Sequence, residues 1–167
     1  MENLINHFTT SNSQEGTCVS VVGDTYRIVI SGKQTGGAYA LIDMLVPPNG
    51  GPGPHAHAQV QEAFYILDGE IEVTTEQGTY TAKPGSFVNI PTGGLIHQFK
   101  NKTDTLAHML CIVTPAGMEE MFEEIGQPVE YNTFLPPPVM GPDILEKFKA
   151  IAEKFGQQLY PPTYFDK

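Results

Sequence analysis

Gly51-Pro52-Gly53-Pro54-His55-Ala56-His57-Ala58-Gln59-Val60-Gln61-Glu62 is the stretch that decides the fold. Its prolines and glycines exclude a regular helix or strand before residue 55 and deliver the chain directly into His55. On an extended segment His55 and His57 point to one face, because side chains alternate with period two. Two imidazoles on one face make a bidentate clamp for a transition metal. Glu62 follows His57 at an odd offset, so a regular strand would turn it to the opposite face. The chain must bend or bulge between them for Glu62 to join, and Ala58-Gln59 is the expected place. His97 follows a Gly/Pro turn and alternates with Phe99, and so offers a third imidazole from another strand. Three histidines and one carboxylate suit one divalent ion of Fe, Mn, Ni, Co, Cu or Zn. They leave one or two positions open for O₂ or substrate.

Outward from this stretch the pattern is that of short strands. Upstream, Thr17–Val22 and Tyr26–Ile30 are separated by a Gly23-Asp24 turn, and Ala38–Val46 follows. In the last of these, Ala40, Ile42, Met44 and Val46 form a purely apolar set that points to the core. Downstream come Val60–Leu67, Ile71–Thr75, Thr79–Ala82, Ser86–Ile90, Ile96–Lys100 and Leu106–Val113. Turns at Asp68-Gly69, Gln77-Gly78, Pro84-Gly85 and 91–94 separate them. Strands this short and this regularly spaced predict an all-β sandwich or barrel over residues 17–114. No helical periodicity is visible within that range.

After Thr114-Pro115 the period changes. Met118, Met121, Phe122 and Ile125 mark one face of a helix, and Glu119 to Glu124 read as its solvated face. A proline-rich loop over 127–142 is a candidate lid. A second helix over Ile144–Phe155 is predicted, capped by Asp143 and stopped by Gly156. Tyr160, Pro161-Pro162, Tyr164 and Phe165 predict a tail packed on the body. Residues 1–16 read as an N-terminal arm whose Leu4, Ile5 and Phe8 dock on the body or on a neighbouring subunit; His7 reads as unordered or surface. The chain is thus expected to be one domain: arm 1–16, barrel 17–114, helical extension and tail 115–167.

Composition narrows the function. The 167 residues suffice for a domain with a substantial core, and 40% are hydrophobic. A formal net charge of −10 repels phosphate backbones and anionic bilayers, which argues against nucleic-acid and membrane partners. No run approaches the ~18 apolar residues of a membrane span. The N-terminus does not read as a secretory signal. Cys18 and Cys111 sit among β-formers and read as buried thiols in a reducing cytoplasm.

The run His55-x-His57-x4-Glu62-x6-Gly69 resembles the first motif of the cupin family, and Gly85-x5-Pro91-x2-Gly94-x2-His97-x3-Asn101 resembles the second. The second motif carries one extra residue between its proline and its glycine. The resemblance covers about residues 38–114. It implies a double-stranded β-helix barrel whose metal ligands are His55, His57, Glu62 and His97, with a bend that turns Glu62 inward. The C-terminal helices, glycine and Pro-Pro ending over 117–162 are similar in layout to quercetinase-like single-domain cupins. That likeness implies a dioxygenase cleaving a flavonol-like or enolic aromatic substrate, with Glu62 also as general base. It implies a homodimer as well. An isomerase or lyase using the metal as a Lewis acid, and a non-enzymatic small-molecule-binding barrel, remain alternatives.

Met44, Phe64, Ile66, Phe99 and His108 are candidates to line the substrate cavity. Apolar strand residues are core by default. His108, beside Met109 and Leu110, reads as a packed residue rather than a ligand.

Overall fold

The computed structural model describes residues 8–166. The period-two pattern gives strands β1 (Cys18–Val21), β2 (Asp24–Ile30), β3 (Ala40–Val46), β4 (His55–His57) and β5 (Gln61–Asp68). After these come β6 (Ile71–Thr75), β7 (Gly78–Ala82), β8 (Phe87–Ile90), β9 (His97–Lys100) and β10 (Ala107–Thr114). Beyond residue 114 lie helix α2 (Met118–Ile125), β11 (Gln127–Pro128), helix α3 (Pro142–Lys154) and β12 (Gln157–Leu159). A one-turn helix, α1 (Gly32–Thr35), interrupts the strands after β2. Two antiparallel sheets result. One runs β11-β1-β2-β3-β10-β5-β8, the other β12-β4-β9-β6-β7. The architecture is the expected all-β one with a C-terminal helix.

The inner faces of the sheets share one core. Ala40, Ile42, Met44 and Val46 are all buried, as their alternation predicts, and Ala107, Met109, Cys111 and Val113 match them on β10. Phe64 of one sheet meets Phe99 of the other edge-on, with ring centroids 5.2 Å apart. Phe64→Ala would cost about 3–5 kcal/mol, because close packing leaves the cavity unfilled.

Several expectations are corrected. α1 is too short to show a period; it is marked only by Ser31 and Gln34, whose Oε1 accepts the Ser31 N–H. Glu119 is not on a solvated face but is buried. Its carboxylate accepts the backbone N–H groups of Gly32 and Gly117, both at 2.7 Å. These donors lie at the starts of α1 and α2, where no carbonyl of the helix can satisfy them. Asp143 does not cap α3. Gly141 takes that position and Pro142 the first helical one, where its fixed φ and missing N–H cost nothing.

Phe8 is 94% exposed and does not dock on the body of this chain. Leu4, Ile5 and His7 lie outside the described residues. The proline-rich loop covers the outer face of the seven-stranded sheet, where Tyr131 donates to Asp43 and the Thr133 carbonyl accepts from Thr25. It therefore does not lie over the histidines as a lid. Among the described residues no helix is long and apolar enough to cross a membrane.

Candidate metal centre

His55, His57, Glu62 and His97 each bring one donor atom to a common point, all within 4.8 Å of one another. Strand register explains how. β4 lies between β12 and β9, and His55 stands directly opposite His97. β12 pairs the whole of β4, with Gln157 opposite His57 and Leu159 opposite His55, so the C-terminal tail fixes the histidine strand. The loop entering β4 is clamped as well. Gly51 donates to Asp24 at 3.1 Å, and its carbonyl accepts from Lys100. Its φ of 106° is open to glycine, and a Cβ there would strike the Phe99 carbonyl.

The parity conflict at Glu62 disappears because the chain changes sheets. β4 belongs to the five-stranded sheet and β5 to the seven-stranded one, with residues 58–60 crossing between them. The alternation restarts at β5, so Glu62, Phe64 and Ile66 all face inward and are buried. The break falls at Ala58-Gln59, where the sequence places it.

The three imidazoles are oriented by backbone carbonyls. Nδ1 of His55 lies 2.9 Å from Gly53 O, that of His57 3.0 Å from Val60 O, and that of His97 2.9 Å from Leu95 O. A carbonyl only accepts, so each Nδ1 carries a proton and each ring turns its Nε2 to the centre. Nε2 of His57 and of His97 lie 3.0 and 3.2 Å from Glu62 Oε2.

Burial and the neighbouring His97 lower the pKa of His55 to about 4, which keeps it neutral. At His57 burial acts in the same direction, but the hydrogen bond and charge of Glu62 outweigh it and raise the pKa. Burial alone would raise Glu62; the hydrogen bonds from His57 and His97 hold it instead well below the usual carboxylate range. A buried carboxylate facing three convergent imidazole Nε2 atoms is the donor set that a divalent transition metal takes.

Of the five cavity candidates, Met44, Phe64, Ile66 and Phe99 are buried in the shared core, and the rings of Phe64 and Phe99, two residues beyond Glu62 and His97, touch each other. His108 occupies an outward position of β10, and its Nε2 meets Asp43 Oδ1. One residue at the site went unnoticed in the sequence. Cys111 is wholly buried and donates its thiol to Glu62 Oε1 at 3.2 Å. Its inward position on β10 was readable from alternation, but its proximity to Glu62 depends on the pairing of β10 with β5.

Residues 42–113 match the family model described as the cupin domain. Over these residues the chain is similar to a cupin domain. A quercetin 2,3-dioxygenase of Bacillus subtilis is 25% identical over 122 residues, which are 73% of this chain and 36% of that relative. The chain thus spans about a third of the relative's length. The polyketide cyclase RemF from Streptomyces resistomycificus superposes with a TM-score of 0.57 at 19% identity, over 86% of this chain and 92% of that one. A predicted oxalate decarboxylase from Thermotoga maritima gives 0.56 at 23%, over 64% and 99%. At such identities these two show the cupin fold alone. The cupin motifs read from the sequence, residues 55–69 and 85–101, fall within the matched range.

Proposed function

We propose that this cupin is a metal-dependent dioxygenase that opens a flavonol-like or enolic aromatic substrate with O₂. The observation that carries this reading is a buried carboxylate, Glu62, facing three imidazoles whose protonated Nδ1 atoms are all tied to carbonyls. His55, His57, His97 and Glu62 would hold the ion, which when bound supplies Lewis acidity and, if redox-active, a route for electrons between substrate and O₂. Glu62 is also the general base: Oε2 faces the site and takes the enol proton, which makes the ring electron-rich. Cys111 keeps the other oxygen, Oε1, turned away from the substrate. The apolar core between the two sheets would limit water at the enolate.

We also infer a homodimer in a reducing cytoplasm. Tyr65 and Leu67, both 41% exposed on the outer face of β5, support the first, and the free, buried Cys18 and Cys111 the second. Light scattering should give twice the 18.2 kDa chain mass.

The activity is tested by O₂ uptake with protein loaded separately with each candidate metal and offered a panel of flavonols and diketones. Stoichiometric uptake with a redox-active metal is expected. Full turnover with zinc and indifference to O₂ would favour the isomerase or lyase instead. Ligand-dependent thermal stabilisation without turnover would point to a binding barrel.

A further inference from the structure

Two loops flank the buried donors and reach solvent. The crossing 58–60 follows His57, and the turn 91–95 precedes His97. Each ends in a carbonyl that orients a ligand: Val60 O meets Nδ1 of His57, and Leu95 O meets Nδ1 of His97. Ala58, Gln59, Pro91, Thr92 and Gly93 are exposed, while His57, Glu62 and His97 are buried. Only a few residues of irregular chain separate solvent from donors here.

The loops meet each other directly. The Gly93 N–H donates to the Ala58 carbonyl at 2.9 Å. A Cβ placed on Gly94 would lie 4.0 Å from the Ala58 Cβ. A backbone bond between exposed loops competes with water and favours the closed form only about fivefold. The approach to His55 is different. There Gly51 is held by Asp24 and Lys100, the Gly50 carbonyl accepts from the Asn101 N–H, and the Pro54 carbonyl accepts from the Tyr160 N–H. β12 pairs the side of β4 that faces away from β9. The wall of the site is thus tied firmly at His55 and lightly at His57 and His97.

The backbone of the turn suits a hinge. Gly93 and Gly94 have φ of 112° and 83°, a left-handed pair that a side chain would strain. A Cβ on Gly93 would meet nothing within 4 Å, so conformation rather than space calls for glycine there. This turn is also where the second motif is one residue longer than the cupin pattern it resembles. Two glycines absorb the φ/ψ change of an opening without side-chain packing to disrupt.

We infer that the seam between residues 58–60 and 91–95 is the gate of the metal centre. Breaking the Gly93–Ala58 bond lets the turn swing out on its two glycines and admits the ion and the small-molecule ligand. The inference rests on the proposed metal site and adds its route of access. Because Kd is the ratio of two rates, a gate slows entry and exit alike and leaves affinity unchanged. A merely structural tie changes the affinity.

The test is a reversible lock. Ala58→Cys with Gly94→Cys places two Cβ atoms inside the roughly 3.5–4.5 Å span of a disulfide. The native Cys18 and Cys111 are free and buried, so the introduced pair is the accessible one. The protein is loaded with zinc, which has no redox chemistry of its own. Zinc uptake, and zinc loss to a chromophoric chelator, are followed by absorbance before and after reduction of the disulfide, with thiol titration confirming each state. The strain of a side chain at Gly94 is common to both states and cancels. Both rates are expected to fall at least about tenfold in the oxidised form and to recover on reduction, with Kd within about twofold. Amide hydrogen exchange in the parent protein is the second measurement. The Gly93 N–H should be protected only about fivefold, and those of Asn101 and Tyr160 at least about a hundredfold.

Zinc exchanging equally fast in both redox states, exit slowed without entry, or a Gly93 amide protected as well as that of Tyr160 would overturn the gate and leave the metal site standing. Failure of the parent to bind zinc at all would remove the metal site, and the gate with it.

Discussion

The barrel holds two clusters of histidine and carboxylate, one inside and one outside, and they are built for opposite ends. Inside, His55, His57, His97 and Glu62 converge from both sheets with no cation among them. Outside, on the seven-stranded sheet, Asp43 meets His108, but it also accepts from Nε and Nη2 of Arg27 at 3.1 and 2.9 Å and from Tyr131. The guanidinium neutralises the outer carboxylate and uses its lone pairs. The inner carboxylate has only imidazoles and a thiol. Residue type alone does not make a metal site; an uncompensated anion with convergent lone pairs does.

Replacing members of each cluster tests this contrast. The largest effect is expected at Glu62. Glu62→Gln should lower O₂-dependent turnover at least about a hundredfold, since it removes the base and the anionic ligand together. His108→Gln should leave turnover within about twofold. Equal losses in the two would erase the distinction.

Next in size is Arg27→Met, which leaves Asp43 buried without its cation. About 2–4 kcal/mol of stability should be lost, read by denaturant unfolding, with metal content unchanged. The side chains are 11% and 5% exposed, so solvent screens the pair little. A drop in metal content with unaltered stability would contradict it.

Cys111→Val sharpens the inner half. Without the thiol, Glu62 Oε1 is free to turn, and metal affinity should fall about tenfold in a competition titration. Unchanged affinity would make the thiol a filler of core space.

The smallest effect concerns Asp24, which clamps Gly51 before the histidine strand. Burial outweighs the hydrogen bonds from Tyr26 and Gly51 and raises its pKa from 3.8 to about 7. The folded pKa lies above the unfolded one. The carboxyl therefore favours folding fully below about 3.8 and loses that contribution as pH rises through about 7. Asp24→Asn keeps the acceptor for the Gly51 N–H and removes the ionisation. It should gain about 1–2 kcal/mol over the parent at pH 8 and little at pH 4, by thermal unfolding. A gain at pH 4 alone would reverse the assignment.

Much of the inner cluster was legible because it is local. His55-x-His57 is fixed by strand parity, and the spacing to Glu62 and His97 resembles the cupin motifs. Spacing alone could not turn Glu62 inward, because no residue announces that 58–60 cross from one sheet to the other. Glu119 was hidden for a similar reason. A run of glutamates reads as a wet face, and the helix-start N–H groups that draw one of them inward come from residue 32 as well as from its own helix.

Alternation gives the face of a strand but not the depth along the barrel. Met44, Phe64, Ile66 and Phe99 face inward as expected and are buried in the core. The pairing of β12 with the histidine strand joins residues about a hundred apart, and no local pattern carries that information.

The central claim is that four inward side chains hold one transition ion. Its most direct test is metal content by mass spectrometry on untagged protein, beside His57→Ala and His108→Ala prepared identically. Near-stoichiometric Fe, Mn, Ni, Co, Cu or Zn in the parent and in His108→Ala, lost in His57→Ala, is the predicted result. No metal in the parent even after reconstitution, or equal retention in His57→Ala, would contradict it.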